Sequence, residues 1–209
     1  MRRPMSMGTK PRMSLLEAIF ILASFSFLTC VGISNRGLAA TADYTRFSKP
    51  DLLTFDELVD LEKNDPPSQA LAQKLERLLT TPFLSNEAYF DGAKPKRPSL
   101  PELGPYLRVI CWNIERGIHF DPIRIALSGP ENFDQILAEG KDPKAKPLTS
   151  DQLKVVRQQL AILQPADLLI LNEVDYGVTR TDYRDVARDL AKTLHMNYAY
   201  GVEFLELDP

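Results

Sequence analysis

Four consecutive apolar residues, Leu168-Leu169-Ile170-Leu171, sit between polar Asp167 and Asn172, and no other stretch restricts the fold as much. Gln164-Pro165 stops whatever helix precedes them, because the residue before a proline is pushed out of the helical region. A short apolar run bounded in this way suits a strand. The apolar positions do not alternate with polar ones, so both faces of the strand are expected to be covered. Glu173 follows directly. A carboxylate beside such a strand must be solvated, paired or metal-bound, since burying it alone is very costly.

A second run of strand type lies upstream, Leu107-Arg108-Val109-Ile110-Cys111-Trp112, and it too ends in a polar cluster, Asn113-Ile114-Glu115-Arg116-Gly117. Cys111 reads as a small core residue. A long polar stretch follows from Asp121 to Pro147, with breaks at Gly129-Pro130 and Gly140 and room for a short helix around Ile136 and Leu137. Thr149 with Gln152 has the form of a capping box, which satisfies the free amides at a helix start. Leu153, Val156, Leu160 and Leu163 then recur at helical spacing. After a loop from Glu173 to Thr181, a helix is expected from Tyr183 to Leu194, then a strand from Asn197 to Leu207. Strands alternating with helices predict an α/β domain. Taken singly, Asn113 is an ordinary turn residue and Glu173 a surface glutamate. Two polar clusters at the ends of two core strands are a different matter, since a rigid sheet commonly positions functional loops there.

The run ending in Trp112-Asn113-Ile114 resembles the opening motif of the endonuclease/exonuclease/phosphatase superfamily. Pro165-Ala166-Asp167 through Asn172-Glu173-Val174 resembles its second motif, with Asn172 where the family more often has glutamine. The resemblance covers Leu107 to Leu207. It implies an incomplete four-layer α/β/β/α sandwich of DNase I-like type, in a family that includes nucleases, sphingomyelinases and inositol-polyphosphate phosphatases. It also implies a divalent cation, Mg²⁺ or Mn²⁺, with Glu173 as metal-ligating glutamate. Asn113 matches the asparagine that helps hold the metal and phosphate region, so both residues are candidates for catalysis and for the metal. Arg116 and Arg180 are candidate phosphate contacts, because guanidinium geometry suits phosphate; the competing reading pairs them with Glu115, Asp175 or Asp182. Asp175 is a candidate supporting acid or a solvated loop residue. His119 reads as a loop residue and His195 as the C-terminal end of a helix, where a cation is favourable.

The N-terminus is organised differently. Arg2, Arg3, Lys10 and Arg12 precede an uncharged run from Ala18 to Ile33, and small residues follow at Ala39 to Ala42. This is the layout of a secretory signal peptide or a short anchor, with the body exported to a periplasmic, secreted or membrane-tethered position. Contact with a membrane is expected only through this segment. Residues 43–106 read as a helical extension and linker ahead of a main fold over 107–209. Thr54 and Glu57 form a capping box in it, and Ser68 caps a second helix striped by Leu71, Leu75, Leu78 and Leu79.

The chain carries a net charge of -3; residues through Ala42 hold five bases and one acid, so the remainder carries -7. That balance disfavours nonspecific nucleic-acid binding, which depends on Lys and Arg at phosphates. The expected substrate is a phosphate ester of unspecified type, with nucleic acid disfavoured but still open. The family's later motifs, including a closing Asp-His, do not occur, so the sequence reads as a truncated and inactive phosphoester hydrolase. The alternative is a non-catalytic exported or tethered module that keeps the front half of the fold.

Overall fold

Gly104–Arg116 is a strand of 13 residues in the computed structural model, which describes residues 27–32, 45–94, 96, 98–129, 131–134 and 148–207. In chain order the elements are β1 (Phe27–Gly32), β2 (Phe47–Ser48), α1 (Phe55–Lys63), α2 (Gln69–Thr80), β3 (Phe83–Ser85), α3 (Glu87–Phe90), β4 (Ser99–Leu100) and β5 (Gly104–Arg116). They continue with α4 (Phe120–Ser128), α5 (Ser150–Leu163), β6 (Leu168–Val174), a 3₁₀ turn (Thr179–Thr181), α6 (Val186–Leu194) and β7 (Tyr198–Tyr200). The protein is of mixed α/β type and divides into two units. One comprises residues 1–33 and 97–174, the other 34–96 and 175–209.

In the first unit β5 is the central strand. It pairs antiparallel with β1, from Phe27 opposite Cys111 to Gly32 opposite Tyr106, and with β4. It pairs parallel with β6, from Val109 opposite Leu168 to Asn113 opposite Asn172. Parallel neighbours need a crossover connection, and α4 and α5 lie in the chain between them. Facing residues in register share a side of the sheet, so Ile110, Trp112 and Ile114 belong to one face and Cys111 and Asn113 to the other. The first face is the core: Ile110 is fully buried, and Trp112 and Ile114 are buried with it. From α4, Phe120, Ile123, Ala126 and Leu127 are buried, and from α5, Val156, Leu160 and Leu163. The Gln164 side-chain amide donates to the Ala126 carbonyl at 2.9 Å and ties the end of α5 to α4.

The opposite face of β6 departs from expectation. Leu168 and Ile170 are each 45% exposed, so this strand is covered on one face and not on both. An unbroken apolar run reports what a strand can bury, and cannot say what the rest of the chain brings to it. Three other expectations change. The Asp121–Pro147 stretch begins with helix α4, whose proline lies in the first turn, where no intrahelical N–H is needed; Ile136 and Leu137 fall outside the described residues. The helix expected from Tyr183 starts at Val186, after left-handed Asp182 and Tyr183. Beyond Asn197 the strand covers only Tyr198–Tyr200. Within the uncharged N-terminal run, Phe27–Gly32 is a strand. Among the described residues no helix is long and apolar enough to cross a membrane.

In the second unit, local signals form as the sequence requires. Thr54 and Glu57 close a reciprocal capping box, and Ser68 caps α2 by accepting from the Leu71 amide at 3.3 Å. Leu71 and Leu78 are buried, whereas Leu79 is exposed. The small sheet runs β2-β3-β7, with Phe83 opposite Tyr200. Residues 34–96 group with 175–209 in this unit.

Two measurements check these statements. Leu160 is 4% exposed and Leu168 45%, so chemical denaturation should find Leu160→Ala costing about 2–5 kcal/mol and Leu168→Ala less than about 1 kcal/mol. Burial, reinforced by the charge of Asp185, pushes the Tyr198 and Tyr200 hydroxyls up to about 12. Their contribution to stability is complete below pH ~10, where an unfolded tyrosine stays neutral, and is lost as pH rises from there through about 12. A spectrophotometric titration should show two late tyrosines, with melting temperature falling over the same window.

Candidate functional site

The parallel register of β5 and β6 is fixed at its N-terminal end by charge. The Arg108 guanidinium donates from Nε to Asp167 Oδ2 at 2.9 Å and from Nη2 to Oδ1 at 3.0 Å. The Arg108 backbone amide donates to the same carboxylate at 2.9 Å, and the Asp167 amide donates to the Arg108 carbonyl at 2.9 Å. The Asp167 side chain is 7% exposed, so this is a well-shielded pair with its polar atoms engaged. Its hydrogen bond raises the Arg108 pKa above the ordinary arginine range. The sequence reading missed this clamp, although oppositely charged residues near the starts of two apolar runs were a visible signal.

At the other end of the same two strands, Asn113 and Glu173 meet. Asn113 Nδ2 donates to Glu173 Oε1 at 2.7 Å, and Asn113 Oδ1 accepts from the Glu115 backbone amide at 2.9 Å. The amide therefore has one consistent orientation, since a flip would set oxygen against carboxylate and NH₂ against N–H. Strand alternation would send Glu173 to the face opposite Asn172 and Asn113. Its backbone is left-handed, with φ 53°, which takes it out of the alternation and lets the carboxylate reach Asn113. Glu115 and Arg116 are also left-handed, with φ 50° and 63°, and the β5–β6 ladder shifts register between Asn113 and Arg116. Gly117 follows at φ 76°. Left-handed backbone costs roughly 1–2 kcal/mol at a residue with a Cβ, and such outliers cluster at functional sites. Three of them around one hydrogen bond mark this corner.

Asn113, Glu115, Arg116 and Glu173 are all exposed. Among the described residues, Glu173 Oε2 has no hydrogen-bond donor and Arg116 has no ion-pair partner. An exposed carboxylate with one oxygen held and the other without a donor among the described residues fits a hard divalent cation that keeps several waters. Glu173 would hold the ion, and Asn113 would fix the carboxylate for it. Among the described residues no group of three or more His, Cys, Asp or Glu side chains is arranged to hold a metal.

The remaining candidates lie elsewhere. His119 stands at the N-terminal boundary of α4 and makes no side-chain cap there. His195 caps the C-terminus of α6 in left-handed conformation, as its place after the helix implied. Arg180 belongs to the second unit. It makes a fork to Asp175, with Nη2 donating to Oδ1 at 2.8 Å, and a second contact to Glu206 at 2.6 Å. Hydrogen bonding to Asp175 and then Glu206 raises its pKa against the opposing effect of burial. A phosphate would compete for Arg180 with two carboxylates. Asp175, expected as a supporting acid or a solvated residue, is the buried half of that pair.

No family model matches the chain. No curated protein and no solved structure matches it either.

The strain at this corner predicts a reversal of the usual glycine penalty. Arg116→Gly should be more stable than Arg116→Ala by about 1 kcal/mol, because only glycine adopts this backbone without cost. Chemical denaturation of the two variants measures the difference; an alanine variant as stable as the glycine one would remove the argument from strain.

Proposed function

We propose that this chain carries the cation- and phosphate-holding corner of a divalent-metal-dependent phosphoester hydrolase of the endonuclease/exonuclease/phosphatase type. The observation that carries the reading is the Asn113–Glu173 hydrogen bond of 2.7 Å between adjacent parallel strand ends, made possible by left-handed backbone at Glu173. The two sequence motifs supply the resemblance, and the α/β sheet with helices on one face is compatible with the front part of a four-layer sandwich. Mg²⁺ or Mn²⁺ is the cation of choice for oxygen donors of this kind. When bound, the cation draws charge from a phosphoryl oxygen and its leaving group, so that water can attack phosphorus.

The protein groups divide the work. Glu173 supplies the anionic oxygen. Asn113, itself braced by the Glu115 amide, sets the carboxylate's orientation and is a positioning residue. Arg116 offers an exposed guanidinium without an ion-pair partner among the described residues, and its planar donors match a phosphate oxygen pair. Arg180 is assigned to the internal structure of the second unit. The acidic balance of the chain beyond Ala42 favours a small or lipid-borne phosphoester over bulk nucleic acid. We place the body outside the cytoplasm on the strength of the basic, then uncharged, N-terminal segment.

The test is a Mn²⁺ titration followed by paramagnetic broadening of backbone amide signals. Residues 113–116 and 172–174 should broaden first. Glu173→Gln should abolish that broadening with the circular dichroism spectrum unchanged, and Asn113→Ala should weaken Mn²⁺ binding about 10- to 100-fold. Equal broadening in the wild type and in Glu173→Gln would sink the proposal.

A further inference from the structure

Phe27–Gly32 belongs to two patterns at once. In the sequence it closes the uncharged run Ala18–Ile33, which follows Arg2, Arg3, Lys10 and Arg12 with Glu17 as the single acid before it. In the structure it is β1, the antiparallel neighbour of β5 from Phe27 opposite Cys111 to Gly32 opposite Tyr106. The Arg108 amide and carbonyl both turn toward Asp167, on the β6 side of β5. Backbone groups alternate between the two edges of a strand, so Leu107, Val109 and Cys111 turn theirs toward β1. Among the described residues β1 pairs with no strand but β5.

We propose that Phe27–Gly32 is a stowed membrane-binding segment, which leaves β5 when the uncharged run enters an anionic bilayer. The two placements exclude each other. Hydrocarbon offers no hydrogen-bond partner, so a segment within it must coil into a helix that satisfies its own backbone. As β1, the same six residues take their backbone partners from β5. The four bases ahead of the run are drawn to an anionic lipid surface, which favours the inserted placement there. Away from lipid, an apolar segment with open backbone groups is better placed on the edge of β5. The Arg108–Asp167 fork lies on the β6 side, and the Asn113–Glu173 hydrogen bond lies beyond the last residue that β1 covers, so both persist when β1 departs. The proposal rests on reading the N-terminal run as membrane-seeking and is independent of the cation site at Glu173.

The experiment is amide hydrogen exchange on the full chain, with and without vesicles of phosphatidylglycerol and phosphatidylcholine in equal parts. Without lipid, the Leu107, Val109 and Cys111 amides should be protected. Vesicles should bind the chain and speed exchange at these three, while Ile110 and Trp112, whose amides face β6, stay protected. Leu22→Asp puts a charge in the uncharged run outside β1; it should abolish vesicle binding and keep the three amides protected throughout. Thr29→Pro removes a ladder donor from β1. It should open the three amides without lipid and tighten vesicle binding about tenfold, because the stowed placement no longer competes. Thr29→Gly serves the same purpose if the proline variant does not fold. Vesicle binding with the three amides still protected, or an affinity unaltered in both Thr29 variants, would overturn the proposal and leave the membrane reading standing. No vesicle binding in the wild type or the Thr29 variants would overturn both.

Discussion

The parallel pairing of β5 with β6 sets everything else in the first unit. A slip of one residue along this ladder would carry every β6 side chain to the opposite face. It would expose Leu169 and Leu171 in place of Leu168 and Ile170, and it would part Glu173 from Asn113. Hydrophobic burial resists such a slip only weakly here, because β6 is apolar at four successive positions and would bury leucine or isoleucine in either phase. The Arg108–Asp167 fork is specific where the apolar residues are not. It has one register in which two side-chain and two backbone contacts close together, with Asp167 well shielded from water. Removing either partner would leave an uncompensated charge in a poorly solvated place, which is strongly disfavoured. The charge pair at one end of the strands thereby determines which polar groups meet at the other.

At that other end the backbone gives up favourable geometry. Glu115, Arg116 and Glu173 are all left-handed, a conformation better suited to glycine, which appears only at Gly117. Only in this arrangement do the Asn113 amide and the Glu173 carboxylate share a face. The helical side of the sheet supplies the rigidity to hold it, since Ile110, Trp112 and Ile114 anchor β5 in the core up to and past Asn113. Strain localised at an exposed polar pair, on a strand whose opposite face is firmly packed, is what a preorganised ligand site requires.

What could be read from the sequence was local. The capping boxes at Thr54–Glu57 and Thr149–Gln152 involve residues three apart, and both form. The apolar stripe of α5 and the two strand runs needed only their own periodicity. The Asn113 and Glu173 clusters could be named because each directly follows such a run. The rest depended on distant partners. Helix α4 was hidden within a stretch that reads as polar, because its buried Ile123, Ala126 and Leu127 show their purpose only against a sheet. The β2-β3-β7 sheet is assembled from strands of two and three residues far apart in the chain; β7 lies within the strand expected from Asn197, whereas β2 and β3 are too short for any pattern to register. The exposure of Leu168 and Ile170, and the capture of Arg180 by Glu206, likewise follow from which segments meet. Left-handed φ at charged residues has no sequence signature, since glycine alone advertises that conformation.

The central claim is that Asn113 holds Glu173 so that its second carboxylate oxygen can bind a hard dication. Anomalous X-ray diffraction from crystals soaked in Mn²⁺ addresses it directly. The account predicts a Mn²⁺ peak within bonding distance of Glu173 Oε2, with Asn113 Nδ2 still donating to Oε1. A peak elsewhere with this carboxylate bare, or an Asn113 side chain turned away from Glu173, would contradict it.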